Sequence, residues 1–252
     1  MIRFEEVTKR FGQKVVLKNV SYEVSEGEIF CIVGPSGTGK SVSLKLMIKL
    51  LSPTSGRVCI GDDCVSSSWS KDLSVLRSRF GYLFQSAALL AWMSVYENVA
   101  LPLRERTKLT DAEIRDKVMD ALEKVGLEND AETYPADLSG GMQKRTGLAR
   151  AIVTEPEILL YDEPTSGLDP VTSRMIDDLI VELNERLGTT SVVVTHDMHS
   201  ALSIADRIAM LHGGRVATIE APQNFIKSEV PEVRSFLDAQ YITRKGVWEK
   251  GN

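Results

Sequence analysis

The stretch Gly34-Pro35-Ser36-Gly37-Thr38-Gly39-Lys40-Ser41 follows the unbroken apolar run Ile29-Phe30-Cys31-Ile32-Val33 and precedes a helix-forming segment, residues 42–51. It is the pattern G-x-x-x-x-G-K-S in the order strand, loop, helix. The glycines let backbone N–H groups turn toward phosphate oxygens, and the start of the following helix adds a partial positive charge. In that arrangement Lys40 reaches the β- and γ-phosphates of a nucleotide, and the Ser41 hydroxyl is offered to Mg²⁺. With Gly near 7% of residues, such a pattern is expected about 0.01 times by chance in a chain of this length. A fortuitous glycine-rich turn is the weaker reading.

Working outward, residues 158–161 and 191–195 are two more runs of apolar and β-branched residues, as expected of parallel strands covered on both faces. Helices lie between them. Residues 110–126 carry Thr110 as N-cap, Glu113 three positions on, an apolar face of Ile114, Val118, Leu122 and Val125, and Gly126 as stop. Residues 172–187 repeat the pattern with Met175, Ile176, Leu179, Ile180, Leu183 and Leu187, then Gly188. Strands alternating with helices predict an α/β fold around a parallel sheet. Residues 2–4, 15–17, 20–24 and 57–60 read instead as a short antiparallel layer. No segment repeats at a fixed period, and the biased stretch is Ser66-Ser67-Ser68-Trp69-Ser70. Beyond Glu220 the chain turns amphipathic and then polar, and residues 243–252 are expected to be mobile unless a partner holds them.

The chain has 252 residues, 43% hydrophobic and 26% charged, with a net charge of -5. These values exclude a disordered, collagen-like or fibrous chain, and the mild acidity argues against a general nucleic-acid binder. The longest apolar run, residues 87–93, falls far short of the about 20 residues that cross a bilayer. The start, Met1-Ile2-Arg3-Phe4-Glu5-Glu6, carries no basic segment followed by an apolar one, so no sign of secretion is read there. Cys31, Cys59 and Cys64 form no Cys-x-x-Cys pair or Cys/His quartet for zinc, and are read as reduced, structural thiols.

Ile158-Leu159-Leu160-Tyr161-Asp162-Glu163 delivers two carboxylates at the carboxyl end of an apolar strand. Asp162 suits a Mg²⁺ ligand, direct or through water, and Glu163 suits a base that polarises water for attack on the γ-phosphate. An acid pair often just ends a strand at a solvated turn, but a phosphate loop elsewhere in the chain reverses those odds. His196 follows residues 191–195 and so sits at a carboxyl-end edge, where open α/β sheets bind ligands. His199 and His212 are read as structural hydrogen-bonders.

Leu138-Ser139-Gly140-Gly141-Met142 resembles the LSGGQ signature of ABC-type ATPases, and the resemblance extends over nearly the whole chain. It implies Phe11 as an adenine-stacking aromatic and Gln85 as a Q-loop residue toward ATP and Mg²⁺. It further implies Ser166-Gly167-Leu168-Asp169 as D-loop and His196 as switch histidine. The implied fold is a P-loop NTPase (RecA-like) parallel core with an N-terminal antiparallel β layer and an inserted α-helical subdomain at approximately 86–150. The ATPase domain would cover 1–220, and 221–252 would be a C-terminal extension that can support a dimer. Ser139 reads as an N-cap, with glycines leaving helix-start N–H groups bare for an anion. In ABC ATPases that anion is the γ-phosphate of ATP on the opposite protomer, which implies a head-to-tail homodimer closing over two Mg·ATP and released by hydrolysis.

Met142-Gln143-Lys144-Arg145, the stretch over residues 82–90 and 95–105, and residues 230–238 resemble the Mla-type, MCE-associated lipid transporter ATPases. Met142 stands where the general family has Gln. This narrower resemblance implies phospholipid as substrate, with integral-membrane permease subunits docked on residues 82–105. An MCE-type lipid-binding protein, accessory subunits and a place on the cytoplasmic face of the inner membrane are implied with it; nucleic acid is not a partner. The same apolar stretch also reads as the small core of the helical subdomain. An ATPase of an amino-acid or other small-solute importer would share every catalytic residue. A non-transport ABC protein would be expected to carry tandem cassettes or long coiled-coil arms, for which one phosphate loop and residues 42–137 leave no room. A catalytically dead subunit is disfavoured by the presence of Lys40, Asp162, Glu163 and His196.

Overall fold

The computed structural model describes residues 1–65, 73–240 and 242. The serine-rich stretch 66–70 and the tail 243–252 lie outside the described residues. In chain order the elements are β1 (Ile2–Phe11), β2 (Lys14–Val24), β3 (Ile29–Val33), α1 (Lys40–Met47), β4 (Ser55–Ile60), β5 (Asp63–Val65), α2 (Leu73–Ser78) and β6 (Phe80–Leu83). There follow α3 (Val95–Arg106), α4 (Asp111–Lys124), α5 (Gly140–Ile152), β7 (Ile158–Asp162) and α6 (Pro170–Leu187). The last are β8 (Thr190–Thr195), α7 (Met198–Ile204), β9 (Arg207–His212), β10 (Arg215–Glu220), α8 (Pro222–Phe225) and α9 (Pro231–Ala239). Two compact units are formed, one from residues 1–72 and 192–252, the other from Leu73–Ser191.

In the first unit β1 pairs antiparallel with β2 and with β4, and β4 with β5, giving the expected antiparallel layer with longer strands than the apolar pattern marked. Its inward residues Ile2, Phe4, Val7, Leu17, Val20 and Val24 are fully or nearly fully buried. The rings of Phe4 and Tyr22 stack at 4.4 Å, and Tyr22 continues onto Phe30 at 5.5 Å. Beside this layer β3 runs parallel to β9, pairing Phe30 with Arg207 and Val33 with Met210, and β9 turns back antiparallel into β10. All five residues of β3 are buried, which is why the strand reads as an uninterrupted apolar run. Helix α1 starts at Lys40 and ends at Met47, short of residue 51, because the chain turns through Lys49 at φ 50°.

One expectation is overturned here. Cys59 and Cys64 are Cα partners across the β4–β5 ladder and are joined as a disulfide, while Cys31 is buried in β3 outside that bridge. Residue spacing alone did not reveal that a tight antiparallel turn brings the two side chains face to face.

In the second unit β6 pairs in parallel with β7, and α5 and α2 pack against β6. Helix α4 has the expected reciprocal cap: Thr110 Oγ1 accepts from the Glu113 N–H, Glu113 returns a bond to the Thr110 N–H, and Gly126 closes the helix at φ 64°. Helix α6 begins at Pro170 rather than 172, because the Asp169 carboxylate accepts from the N–H groups of Val171 and Thr172 and proline suits the first turn. Its buried face is Ile176, Asp177, Ile180, Leu183 and Asn184, whereas Met175 is 56% exposed. The Asn184 carboxamide donates to Thr189 O and Ser191 Oγ, which closes the turn from α6 into β8. Within β8 the chain passes from the second unit to the first. No helix among the described residues is long and apolar enough to cross a membrane.

Candidate active site

In the first unit the phosphate loop joins β3 to α1. Gly34, Gly37 and Gly39 take φ of 144°, 80° and 103°, a region closed to residues with a Cβ except at a cost. A Cβ on Gly34 would stand 2.2 Å from the Leu211 carbonyl oxygen, and one on Gly39 would stand 2.5 Å from Leu17 Cδ2. Thr38 Oγ1 donates to Pro35 O at 2.8 Å. The buried Lys40 ammonium donates to Gly34 O at 2.8 Å and Pro35 O at 3.3 Å, so its charge lies in the loop's own concavity. Ser36 is exposed at the rim, and Ser41 follows Lys40 in the first turn of α1.

Helix α1, like the later α8 and α9, has no side-chain cap at its N-terminus. Helices α3, α4, α5, α6 and α7 are each capped by a side chain, from Ser94, Thr110, Ser139, Asp169 and Asp197. Gly39 at the start of α1 supplies none, and no acid stands in its first turn. The first N–H groups of α1 and the left-handed glycines thus form a concavity of donors with a lysine at its centre, the chemistry of a polyphosphate site. No cluster of three or more His, Cys, Asp or Glu side chains stands ready to cage a cation among the described residues.

Phe11 lies at the end of β1, 45% exposed, with Lys9 Nζ 4.9 Å from the ring centroid. His196 follows β8 and is exposed, and the next residue, Asp197, caps α7 by accepting from the His199 N–H at 2.8 Å. His212 Nδ1 stands 3.9 Å from Glu232 Oε1.

In the second unit Asp162 and Glu163 emerge buried from the end of β7. Asp162 Oδ2 accepts from the Tyr82 hydroxyl at 3.1 Å, and burial followed by the Asp162 charge pushes the Tyr82 phenol well up from its ordinary pKa. Glu163 holds a left-handed backbone at φ 51°, an uncommon conformation for a residue with a Cβ. Gln85 Nε2 stands 3.5 Å from Ser166 Oγ, so the expected Q-loop and D-loop residues meet. Ser139 caps α5 as expected, its Oγ accepting from the Met142 N–H at 3.3 Å. The signature glycines also have a packing reason that the sequence does not disclose. A Cβ on Gly141 would come 2.5 Å from Thr172 Cγ2, and one on Gly140 would come 3.1 Å from Leu168 Cδ2. Leu138 is buried and Gly167 takes φ 80° in the turn before α6.

With this geometry in hand, the ABC transporter family profile matches residues 17–166. The chain belongs to the ABC transporter ATPase family. It is 42% identical over 250 residues to a probable ribonucleotide transport ATP-binding protein of Mycobacterium leprae (strain TN), covering 99% of this chain and 72% of that protein. It is 39% identical over 238 residues to the intermembrane phospholipid transport system ATP-binding protein of Escherichia coli (strain K12), covering 94% and 88%. Among solved structures, the ATP-binding cassette MJ0796, a dimer in a post-hydrolysis state bound to ADP and Pi, superposes with a TM-score of 0.80. That match has 36% identity and covers 88% of this chain and 99% of that one. The fold is therefore the P-loop ABC ATPase fold, and the chain is an ATP-hydrolysing enzyme.

Within this ABC ATPase two residues matter that the sequence reading did not single out as functional. Lys144, five residues beyond Ser139, is buried, and its Nζ donates to Gln85 O at 2.5 Å and to Glu163 O at 3.1 Å. Burial lowers its pKa, and the carboxylates of Glu163 and Asp162 oppose that shift. Arg150, farther along α5, donates to Ala87 O and Ala88 O at 2.5 and 2.8 Å. The signature helix thus carries two cations that tie down the loop after β6 and the end of β7. The stretch 82–105 divides in the same way: Ala87, Val95, Val99, Ala100 and Leu103 are buried, while Phe84 and Trp92 are exposed, Trp92 by 72%.

Proposed function

We propose that this ABC ATPase powers phospholipid transport through separate integral-membrane permease subunits, docked at residues 82–105 on the cytoplasmic face of the inner membrane. An MCE-type lipid-binding protein would complete the assembly. Two copies would close head to tail over two Mg·ATP, with residues 1–220 as the ATPase domain, its helical subdomain at about 86–150, and residues 221–252 supporting the pair. ATP favours the closed pair over the open one, and that difference in affinity moves the permease.

In this reading Gly34, Pro35, Ser36, Gly37, Thr38, Gly39 and Lys40 hold the phosphates and Phe11 stacks on the adenine. Ser41, Gln85 and Asp162 would hold Mg²⁺, which would offset phosphate charge. Glu163 takes a proton from the attacking water, and His196 contacts the γ-phosphate region. Leu138, Ser139, Gly140, Gly141 and Met142 close on the partner copy's nucleotide, and Ser166, Gly167, Leu168 and Asp169 form the D-loop. The observation that supports phospholipid is the 39% identity to the phospholipid transport ATP-binding protein over 94% of this chain, with Met142 at the signature position where the general family has Gln.

The mycobacterial relative, at 42% identity, favours a second reading in which the cargo is a ribonucleotide. The test is to purify the chain with its membrane partners, extract bound molecules for mass spectrometry, and measure hydrolysis in phospholipid vesicles with and without added ribonucleotides. Copurified phospholipid and lipid-stimulated hydrolysis are expected. Stimulation by ribonucleotide alone would overturn the lipid assignment and leave the ATPase assignment standing.

A further inference from the structure

Helix α9 is anchored in the first unit by Val233 and Leu237, both fully buried. With Pro35 of the phosphate loop it lines a cavity of about 440 Å³, so it lies alongside that loop. Gln240, which caps the helix just beyond Ala239, then reaches the segment that carries His196. Gln240 Nε2 donates to His196 O at 2.8 Å, and Gln240 Oε1 accepts from the Met198 N–H at 2.9 Å. One carboxamide therefore spans Asp197 and holds the backbone on both sides of it, in the way a neighbouring strand's peptide group would. Within the segment itself Thr195 Oγ1 accepts from the Asp197 N–H at 3.0 Å. The exposed imidazole of His196 projects from a backbone pinned between these restraints.

We propose that Gln240 is a positioning residue for His196, so that the C-terminal extension acts on hydrolysis inside its own chain. The carboxamide fixes the His196 backbone, and the backbone fixes where the imidazole points. An imidazole one rotamer away from the γ-phosphate would leave nucleotide binding intact and slow the chemical step, because a small misplacement of a positioned group costs rate rather than affinity. This inference rests on the reading of His196 as the switch histidine.

The test is Gln240→Met in the full chain with its membrane partners; it keeps the side-chain stem and removes both hydrogen bonds. The expected result is a fall in kcat of about tenfold, the scale of one to two hydrogen bonds, with the KM for ATP unchanged within about twofold. The Met198 amide should exchange with solvent faster by about tenfold while those of Val192, Val193 and Val194 keep their protection. In a His196→Ala background the same change should cost nothing further, since coupled residues are non-additive. Unchanged kcat, unchanged Met198 exchange, or an equal loss in the His196→Ala background would each overturn the positioning role. If His196→Ala by itself turned over like the parent, the reading of His196 would fall, whereas the other failures leave that reading intact.

Discussion

In the phosphate loop the residues with positive φ are glycines, Gly34, Gly37 and Gly39; in the second unit Ala87, Ala88 and Glu163 take φ of 57°, 49° and 51° with a Cβ in place. The left-handed region costs an ordinary residue roughly 1–2 kcal/mol, a cost glycine avoids. The phosphate loop is accordingly held by what lies within it: Thr38 and Lys40 bond to carbonyls of Gly34 and Pro35, three to six residues back. The other region is held from far along the chain, by Lys144 on Gln85 O and Glu163 O and by Arg150 on Ala87 O and Ala88 O. A loop built to wrap one fixed ligand can carry its conformation in its own residues. The segment around Gln85, Ala87, Ala88 and Glu163 takes its conformation instead from one helix, α5, whose two cations hold both of its parts.

This contrast yields graded expectations. The largest effect belongs to Glu163→Gln, which keeps the backbone restraint from Lys144 and removes only the carboxylate proposed as the base. Hydrolysis should slow by about 10² to 10⁴ while ATP binding persists, read by phosphate release beside nucleotide titration; normal turnover would remove Glu163 from its role. Next is Gly34→Ala, which puts a Cβ against the Leu211 carbonyl at φ 144° and should cost about 3 kcal/mol in urea denaturation. A smaller loss, about 1–3 kcal/mol, is expected for Lys144→Met, because the carbonyls of Gln85 and Glu163 lose a charged donor.

Lys144 also has a pH signature. Burial depresses its folded-state pKa below 10.5, so the unfolded chain binds more protons between the two values. The parent should therefore gain stability from this group as pH rises through that interval, and Lys144→Met should lose that slope in denaturation curves taken from neutral pH toward 10.5. The smallest effect is Ala88→Gly on the exposed side of the loop. Relief of the left-handed backbone, offset by the entropy of glycine, should stabilise by less than about 1 kcal/mol. A loss there would mean that Arg150 already holds Ala88 without strain.

What could be read in advance follows sequence distance. The caps at Thr110 and Ser139 were legible because a side chain and the N–H it serves lie three residues apart. The expected start of α6 falls two residues late because Asp169 reads first as the end of the D-loop motif, whereas its carboxylate caps the helix that Pro170 opens. The strands of the antiparallel layer appeared too short, since their exposed positions interrupt the apolar pattern. Tyr82 on Asp162 joins residues 80 positions apart, Lys144 on Gln85 joins residues 59 apart, and Gln240 on His196 joins residues 44 apart. Nothing in a single chain of letters pairs them.

The sequence by itself determined the nucleotide chemistry: a glycine-rich loop with Lys40, an apolar strand ending in Asp162 and Glu163, and a serine-capped Gly-Gly helix start have this meaning wherever they occur, because their physics is local. The tertiary structure alone decided which groups hold those motifs in register. It selected Lys144, Arg150 and Gln240 among many similar side chains, required glycine at 141 because Thr172 packs against it, and brought Cys59 onto Cys64. Each of these depends on two segments meeting in space, and that meeting is set by burial of the whole core rather than by the residues that meet.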